Sequence, residues 1–313
     1  MASYLLRRVL ASIPVLGVVA FLVFGLLRLA PGDPAMILAG DGATAEQIDA
    51  MRRSMGLDKS IIEQFVIWLL KVLRGDLGVS LISGQPMASM IADRLGPSLA
   101  LCICAITFAV CIAIPLGVVA AWRQGKTLDR LIMSGSVLGF SVPVFIIGYV
   151  LILIFARGLG LFPVQGYQPL ADGFSGFAHR LVLPTLTMSV PYIALISRIT
   201  RTSVIEVLGE DYIRTARSKG LSDREVLFEH ALGNAAVPIA TVVGVSIAML
   251  ITGVVVTESV FNIPGMGRLV LEAVLSRDFT AIQALILLFS AIYVVINLAI
   301  DILYSILDPR IRY

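Results

Sequence analysis

Long apolar runs separated by short charged segments dominate the 313 residues, and the runs fall at 9–29, 98–121, 132–156, 182–202, 235–257 and 281–306. Each has the roughly 17 to 25 residues that an α-helix needs to cross ~30 Å of hydrocarbon. Helices satisfy their own backbone polar groups in lipid, so the expected fold is all-α and polytopic, with about six transmembrane helices. The first run follows a basic start, MASYLLRRVLASIPVLG, as in a signal peptide. It continues to about Leu29 without a small-residue cleavage site, and so reads as a retained first span.

The segments between the runs set the orientation. Arg7 and Arg8, then Arg123, Lys126 and Arg130, then Arg198, Arg201, Arg214, Arg217, Lys219 and Arg224, then Arg310 and Arg312 fall on one side. The short loops opposite carry only Arg157, Arg180, Arg268 and Arg277, so the richer side, with both termini, is expected in the cytoplasm. Residues 31–96 would then be external despite Arg52, Arg53, Lys59, Lys71, Arg74 and Arg94. Translocated loops of roughly 60 residues or more largely escape the charge rule. Within this segment Thr44 and Gln47 have the spacing of a capping box ahead of IDAMRRSM. The run IIEQFVIWLLKVL is helical in pattern, but ~13 residues cannot span, so it is expected on the outer face or at the interface.

Composition agrees. Hydrophobic residues make up 58% of the chain, mean hydropathy is +0.94 and 14% of residues are charged, against roughly 25% in an average soluble domain. These values exclude a water-soluble globule. The net charge of +3 is accounted for by membrane orientation and does not imply nucleic acid.

The cytoplasmic stretch 206–233 holds the most information. VIEVLGEDYIRTARSKG reads as one helix, acidic early and basic late to match the helix dipole, with Gly220 where it would stop. Ser222 and Glu225 form a capping box that starts a second helix through VLFEHAL. Gly233, Asn234 and Pro238 in GNAAVP are expected to end that helix before the fifth span. The product is a helical hairpin on the cytoplasmic face.

Other signals lead elsewhere and are weaker. Gly125, Lys126 and Thr127 resemble the end of a phosphate-binding loop, but Ala120 stands where its first glycine is required and the tripeptide follows a membrane helix. A basic turn without a nucleotide site is the better reading. Ala216, Gly220 and Val226 have the spacing of a helix-turn-helix, yet tethers to two spans would hold the unit at the lipid surface, away from duplex DNA. Cys102, Cys104 and Cys111 share one apolar stretch and read as small buried hydrophobes, neither a disulfide framework nor a metal site. His179 and His230 are isolated. Asn297 and Asp301, four apart on the last span, share a face that serves either the translocation path or interhelical hydrogen bonding. A gradient-driven secondary transporter would place paired charges in the span interiors, which are almost free of them. No nucleophile with a base and no metal constellation marks an intramembrane enzyme.

DYIRTARSKGLSDREVLFEHALGNAAVP resembles the cytoplasmic coupling loop of binding-protein-dependent ABC importer permeases, in the dipeptide, oligopeptide and nickel branch. The resemblance extends over the chain through LLRRVLASIPVLG, LAPGDPA, GLDKS, GDLGVSL, SVPVF, ESVFNIPGMGRL, RDF and the terminal LDPRIRY. The Glu-Ala-Ala of the general loop is Arg214, Thr215 and Ala216 here, as is usual in the peptide branch. Ser60 and Thr280 stand where relatives often carry proline. The resemblance implies a type I importer permease fold whose hairpin docks on an ATPase subunit. By it Arg214, Thr215, Ala216, Gly220 and Leu221, with the cap residues Ser222 and Glu225, are expected to couple the two. It further implies a second homologous permease, two ATPase subunits using ATP and Mg, an external solute-binding protein, and no cofactor or metal held by this chain. The expected cargo is short peptides, with nickel or glutathione as alternatives.

Overall fold

The computed structural model describes residues 2–29, 34–40, 42–54 and 56–307. Arg310, Arg312 and the rest of LDPRIRY after Leu307, with most of the LAPGDPA turn, lie outside the described residues. The chain is an all-α polytopic membrane protein; among the described residues no strand occurs, only an isolated β-bridge between Val79 and Pro86. Among the described residues five helices are long and apolar enough to cross a membrane, and six if one bent pair counts as a single span.

One compact unit comprises residues 6–95 and 269–294. In it lie most of α1 (Ala2–Leu29), then α2 (Pro34–Ala39), α3 (Ala45–Ser54) and α4 (Ile61–Leu73). The Thr44 and Gln47 capping box forms, with the Thr44 N–H on Gln47 Oε1 at 2.9 Å and the Gln47 N–H on Thr44 Oγ1 at 3.3 Å. Ser60 caps α4 in the same reciprocal way with Glu63, which explains how serine starts this helix. Helix α4 lies against α1 through Phe21, Phe24, Phe65 and Trp68, whose ring centroids are between 5.4 and 6.0 Å apart. Its outer residues Ile61, Ile62, Val66, Leu70 and Leu73 stay exposed, a surface suited to apolar surroundings.

The same unit joins two motifs far apart in sequence. The buried Asp278 carboxylate accepts the Leu81 N–H at 3.2 Å, the Ala281 N–H at 3.1 Å and the Ser80 hydroxyl. Asp278 thereby caps the start of the last helix while holding the GDLGVSL loop. Thr280 packs so closely on Gly78 that a β-carbon there would lie 2.8 Å from Thr280 Cγ2.

The other unit contains, of the described residues, 2–5, 96–268 and 295–307. Its helices are α5 (Met87–Trp122), α6 (Thr127–Ser141), α7 (Val144–Leu151), α8 (Phe174–Leu208), α9 (Asp211–Ser218), α10 (Asp223–Glu225) and α11 (Leu232–Phe261). Two later helices, α12 (Met266–Leu275) and α13 (Phe279–Leu307), follow. The second span begins at Met87, earlier than its apolar run, because Gly96 and Pro97 are carried inside α5.

Three expectations are corrected. The run 132–156 is not one straight span: α6 and the helix from Val144 to Gly158 meet at 103°. Pro143 has no N–H and holds Val142 extended, at φ −84° and ψ 126°, so the α-ladder cannot cross it. The stretch VIEVLGEDYIRTARSKG is not one helix: α8 ends at Leu208, Gly209 and Glu210 turn the chain, and α9 begins at Asp211. This turn lets Ile213 and Ala216 join Val204 in a buried cluster. GNAAVP does not end the second hairpin helix. The helix runs on from Asp223 to Phe261 through a π-helical segment at Val226–Ala231. Continuing it buries Ala235 and Ile239 in that cluster, which offsets the ~3 kcal/mol cost of an interior proline.

Of the cysteines, Cys102 and Cys104 are half-buried and Cys111 is exposed, so Cys111 departs from the expected burial.

Candidate coupling hairpin

Helix α9 ends in a Schellman motif. The Gly220 N–H bonds the Arg217 carbonyl at 2.9 Å and the Leu221 N–H reaches the Ala216 carbonyl at 3.4 Å. This geometry demands a left-handed residue, and Gly220 supplies it at φ 86°. The chain then re-enters a helix at Ser222, whose hydroxyl accepts the Glu225 N–H while Glu225 Oε2 accepts the Ser222 N–H at 2.7 Å. Stop and start signals thus lie within three residues of each other and make a rigid corner.

The candidate coupling residues divide between two roles. Arg214, Thr215, Gly220, Ser222 and Glu225 are exposed. Ala216 is 8% exposed and packs inward with Val118, Ile213, Val226 and Leu227, while half-buried Leu221 covers the same cluster. Ala216 and Leu221 therefore shape the corner from beneath. The arms are tied by Asn234, whose Nδ2 donates to Tyr212 Oη at 2.9 Å and to the His230 carbonyl at 2.8 Å. The exposed pairs Arg214–Asp211 at 3.5 Å and Arg217–Asp223 at 3.8 Å add little stability in water.

The sequence reading passed over Tyr212 and Phe228, exposed aromatic side chains on the two arms. Their signal was an apolar residue among charged neighbours, visible only once the buried face is known. It also passed over Asp129. This carboxylate is 3% exposed and takes Arg201 Nε and Nη2 at 2.5 and 2.7 Å together with the Gly125 N–H at 2.9 Å. The Gly125-Lys126-Thr127 segment is a turn between α5 and α6, clamped to α8 by this pair. The lookalike helix-turn-helix has its second helix continuous with a 39-residue candidate span.

Asn297 is half-buried and Asp301 buried on α13, and neither is without a partner. They do not line the apolar groove of about 540 Å³ beside Ile296, Ala299 and Ile300 of the same helix. Nε2 of His179 lies 2.7 Å from the Leu161 carbonyl, and its ring lies 5.4 Å from that of Phe162. Among the described residues no group of three or more His, Cys, Asp or Glu side chains is arranged to hold a metal.

The motif ESVFNIPGMGRL folds around another buried carboxylate. Glu258, fully buried at the end of α11, accepts the Ser98 hydroxyl and the Arg268 N–H, the latter at 2.9 Å, while Ser98 Oγ accepts the Met266 N–H at 2.7 Å. Asn262 takes the left-handed conformation at φ 51°. Gly265 leaves room for the carboxylate, which a β-carbon there would overlap.

The profile of the family described as "Binding-protein-dependent transport system inner membrane component" matches residues 113–313, and that of its N-terminal region matches residues 1–102. The chain belongs to this family of binding-protein-dependent transport permeases. Relatives match it along its whole length. A probable peptide ABC transporter permease of Sinorhizobium fredii is 48% identical, with both chains fully covered. A putative peptide transport system permease of Brucella abortus and a glutathione transport system permease of Escherichia coli are each 41% identical, again with both chains fully covered. Among solved structures, an inward-facing form of the methionine ABC transporter MetNI is similar at a TM-score of 0.59 and 16% identity, over 71% of this permease and 98% of that chain. That likeness shows the type I importer permease fold. The permease family carries transport and not catalysis.

Proposed function

We propose that this permease forms the path by which short peptides enter a bacterial cell, one of two homologous membrane subunits served by an external solute-binding protein. The observation that carries the reading is 48% identity over the full length to a permease named for peptide transport. Glutathione is a second reading, favoured by the 41% identity to the Escherichia coli glutathione permease, and it is itself a short peptide. Two ATPase subunits using ATP and Mg would supply the energy at the hairpin. The rigid corner at Gly220 and Ser222 and the exposed Arg214 and Thr215 support that assignment. Uptake in cells lacking the chain tests the cargo. Labelled di- and oligopeptide uptake is expected to fall, whereas unchanged peptide uptake with collapsed glutathione or nickel uptake would refute the peptide reading.

The short-loop charge asymmetry supports a topology with both termini and Lys219 in the cytoplasm and Arg52 outside the inner membrane. A cysteine placed at position 52 is expected to react with an impermeant thiol reagent added to whole cells, and one at position 219 to be protected. The reverse pattern would rule this orientation out.

A further inference from the structure

The break between α6 and α7 adjoins a pocket of about 210 Å³. Its walls include Ser136, Phe140 and Ser141 from α6 and Ala194, Leu195 and Arg198 from α8. Pro143 offers no N–H to the Gly139 carbonyl, so the last turn of α6 ends here with carbonyls that lack helical partners. Irregular backbone at membrane depth is tolerated where it is buried in protein or lines a water-filled cavity. Arg198 is exposed, and among the described residues only its carbonyl is engaged outside the helix ladder, by the Thr202 hydroxyl at 3.1 Å. Arg201, three residues on, is satisfied by Asp129. Arg198 therefore keeps an uncommitted guanidinium at the end of the uncharged stretch Leu181–Ser197. It stands near the cytoplasmic end of the fourth apolar run, where turning a charge toward lipid would be costly.

We propose that Arg198, with the hydroxyls of Ser136 and Ser141, forms a station on the translocation path that takes the C-terminal carboxylate of the passing peptide. The proposal rests on the peptide reading above. Donors and acceptors suit that end of a peptide. The guanidinium presents a planar fork of N–H groups to a carboxylate. Ser136 and Ser141 donate to the Ile132 and Val137 carbonyls at 2.9 and 2.8 Å, and Ser136 Oγ also lies 3.1 Å from Ser197 Oγ, so Ser141 keeps both lone pairs and Ser136 one to accept the last peptide N–H. Phe140 and Leu195 offer apolar walls to a side chain without selecting one.

The test uses the whole transporter in proteoliposomes with its binding protein, a labelled tripeptide, and the same tripeptide amidated at its C-terminus. Arg198→Ala is expected to lower transport of the free acid about tenfold, the loss of one charge-assisted contact, and to leave the amide nearly unchanged. Arg198→Lys should restore part of the free-acid rate. Basal ATP hydrolysis and subunit assembly should match the wild type in both variants. The station is refuted if Arg198→Ala slows acid and amide equally or changes neither. It is also refuted if the variant subunits fail to assemble, which would assign Arg198 to subunit packing. A wild-type transporter that moves neither peptide refutes the peptide reading itself and removes this ligand with it.

Discussion

Replacing Glu258 with alanine is expected to destabilise the membrane domain by about 3 kcal/mol or more, because a buried hydrogen-bonded carboxylate is removed and its partners remain. The Arg268 N–H would lose its acceptor and the buried Ser98 hydroxyl its own. Glu258→Gln should cost less, since one oxygen and the shape persist. Gly265→Ala should resemble Glu258→Ala, because the new methyl group would occupy the carboxylate's place. Thermal unfolding of the detergent-extracted transporter, read beside the yield of assembled complex, measures this. A Glu258→Ala complex that melts with the wild type would show that the carboxylate is dispensable.

Replacing Gly220 with valine is expected to uncouple the transporter and leave it assembled. A β-branched residue at φ 86° is strained by roughly 1 to 2 kcal/mol per residue, which the corner can relieve by abandoning its Schellman bonds. No neighbouring atom comes within 4 Å of a β-carbon there, so the strain is in the backbone alone and the spans beneath keep their packing. Substrate-stimulated ATP hydrolysis and transport in the reconstituted complex should both fall to about a tenth, the equivalent of 1.4 kcal/mol, while the binding protein still docks. Gly220→Asn, which tolerates the left-handed region, should retain most activity. Normal transport by the valine variant would remove the coupling role from this corner.

Much of this architecture was legible in the residues because its causes are local. Span lengths follow from runs of apolar side chains in a solvent that cannot hydrogen-bond the backbone. The caps at Thr44, Ser222 and Gly220 are readable because each is completed by residues within about five positions. The hairpin was recognisable for that reason, as was the family, whose motifs lie in order along the chain.

What escaped was decided between distant residues. Pro143 could be read as a local break, but its 103° consequence depends on where α7 packs against α8 and α11. Pro238 and Asn234 looked like terminators. Burial of Ala235 and Ile239, with the bond from Asn234 to Tyr212, carries the helix through them. Ala216 looked like part of a docking surface and turned out to face inward. Asp129, Glu258 and Asp278 carry no local sequence signal of burial. Each is buried because its partners come from residues 72, 160 and 198 positions away. By itself the sequence determined the spans, the caps and the family, since hydrophobic length and helix capping act over a few turns. Only the tertiary structure decided which polar groups are buried, because the desolvation of a carboxylate is offset by donors that folding alone brings within reach.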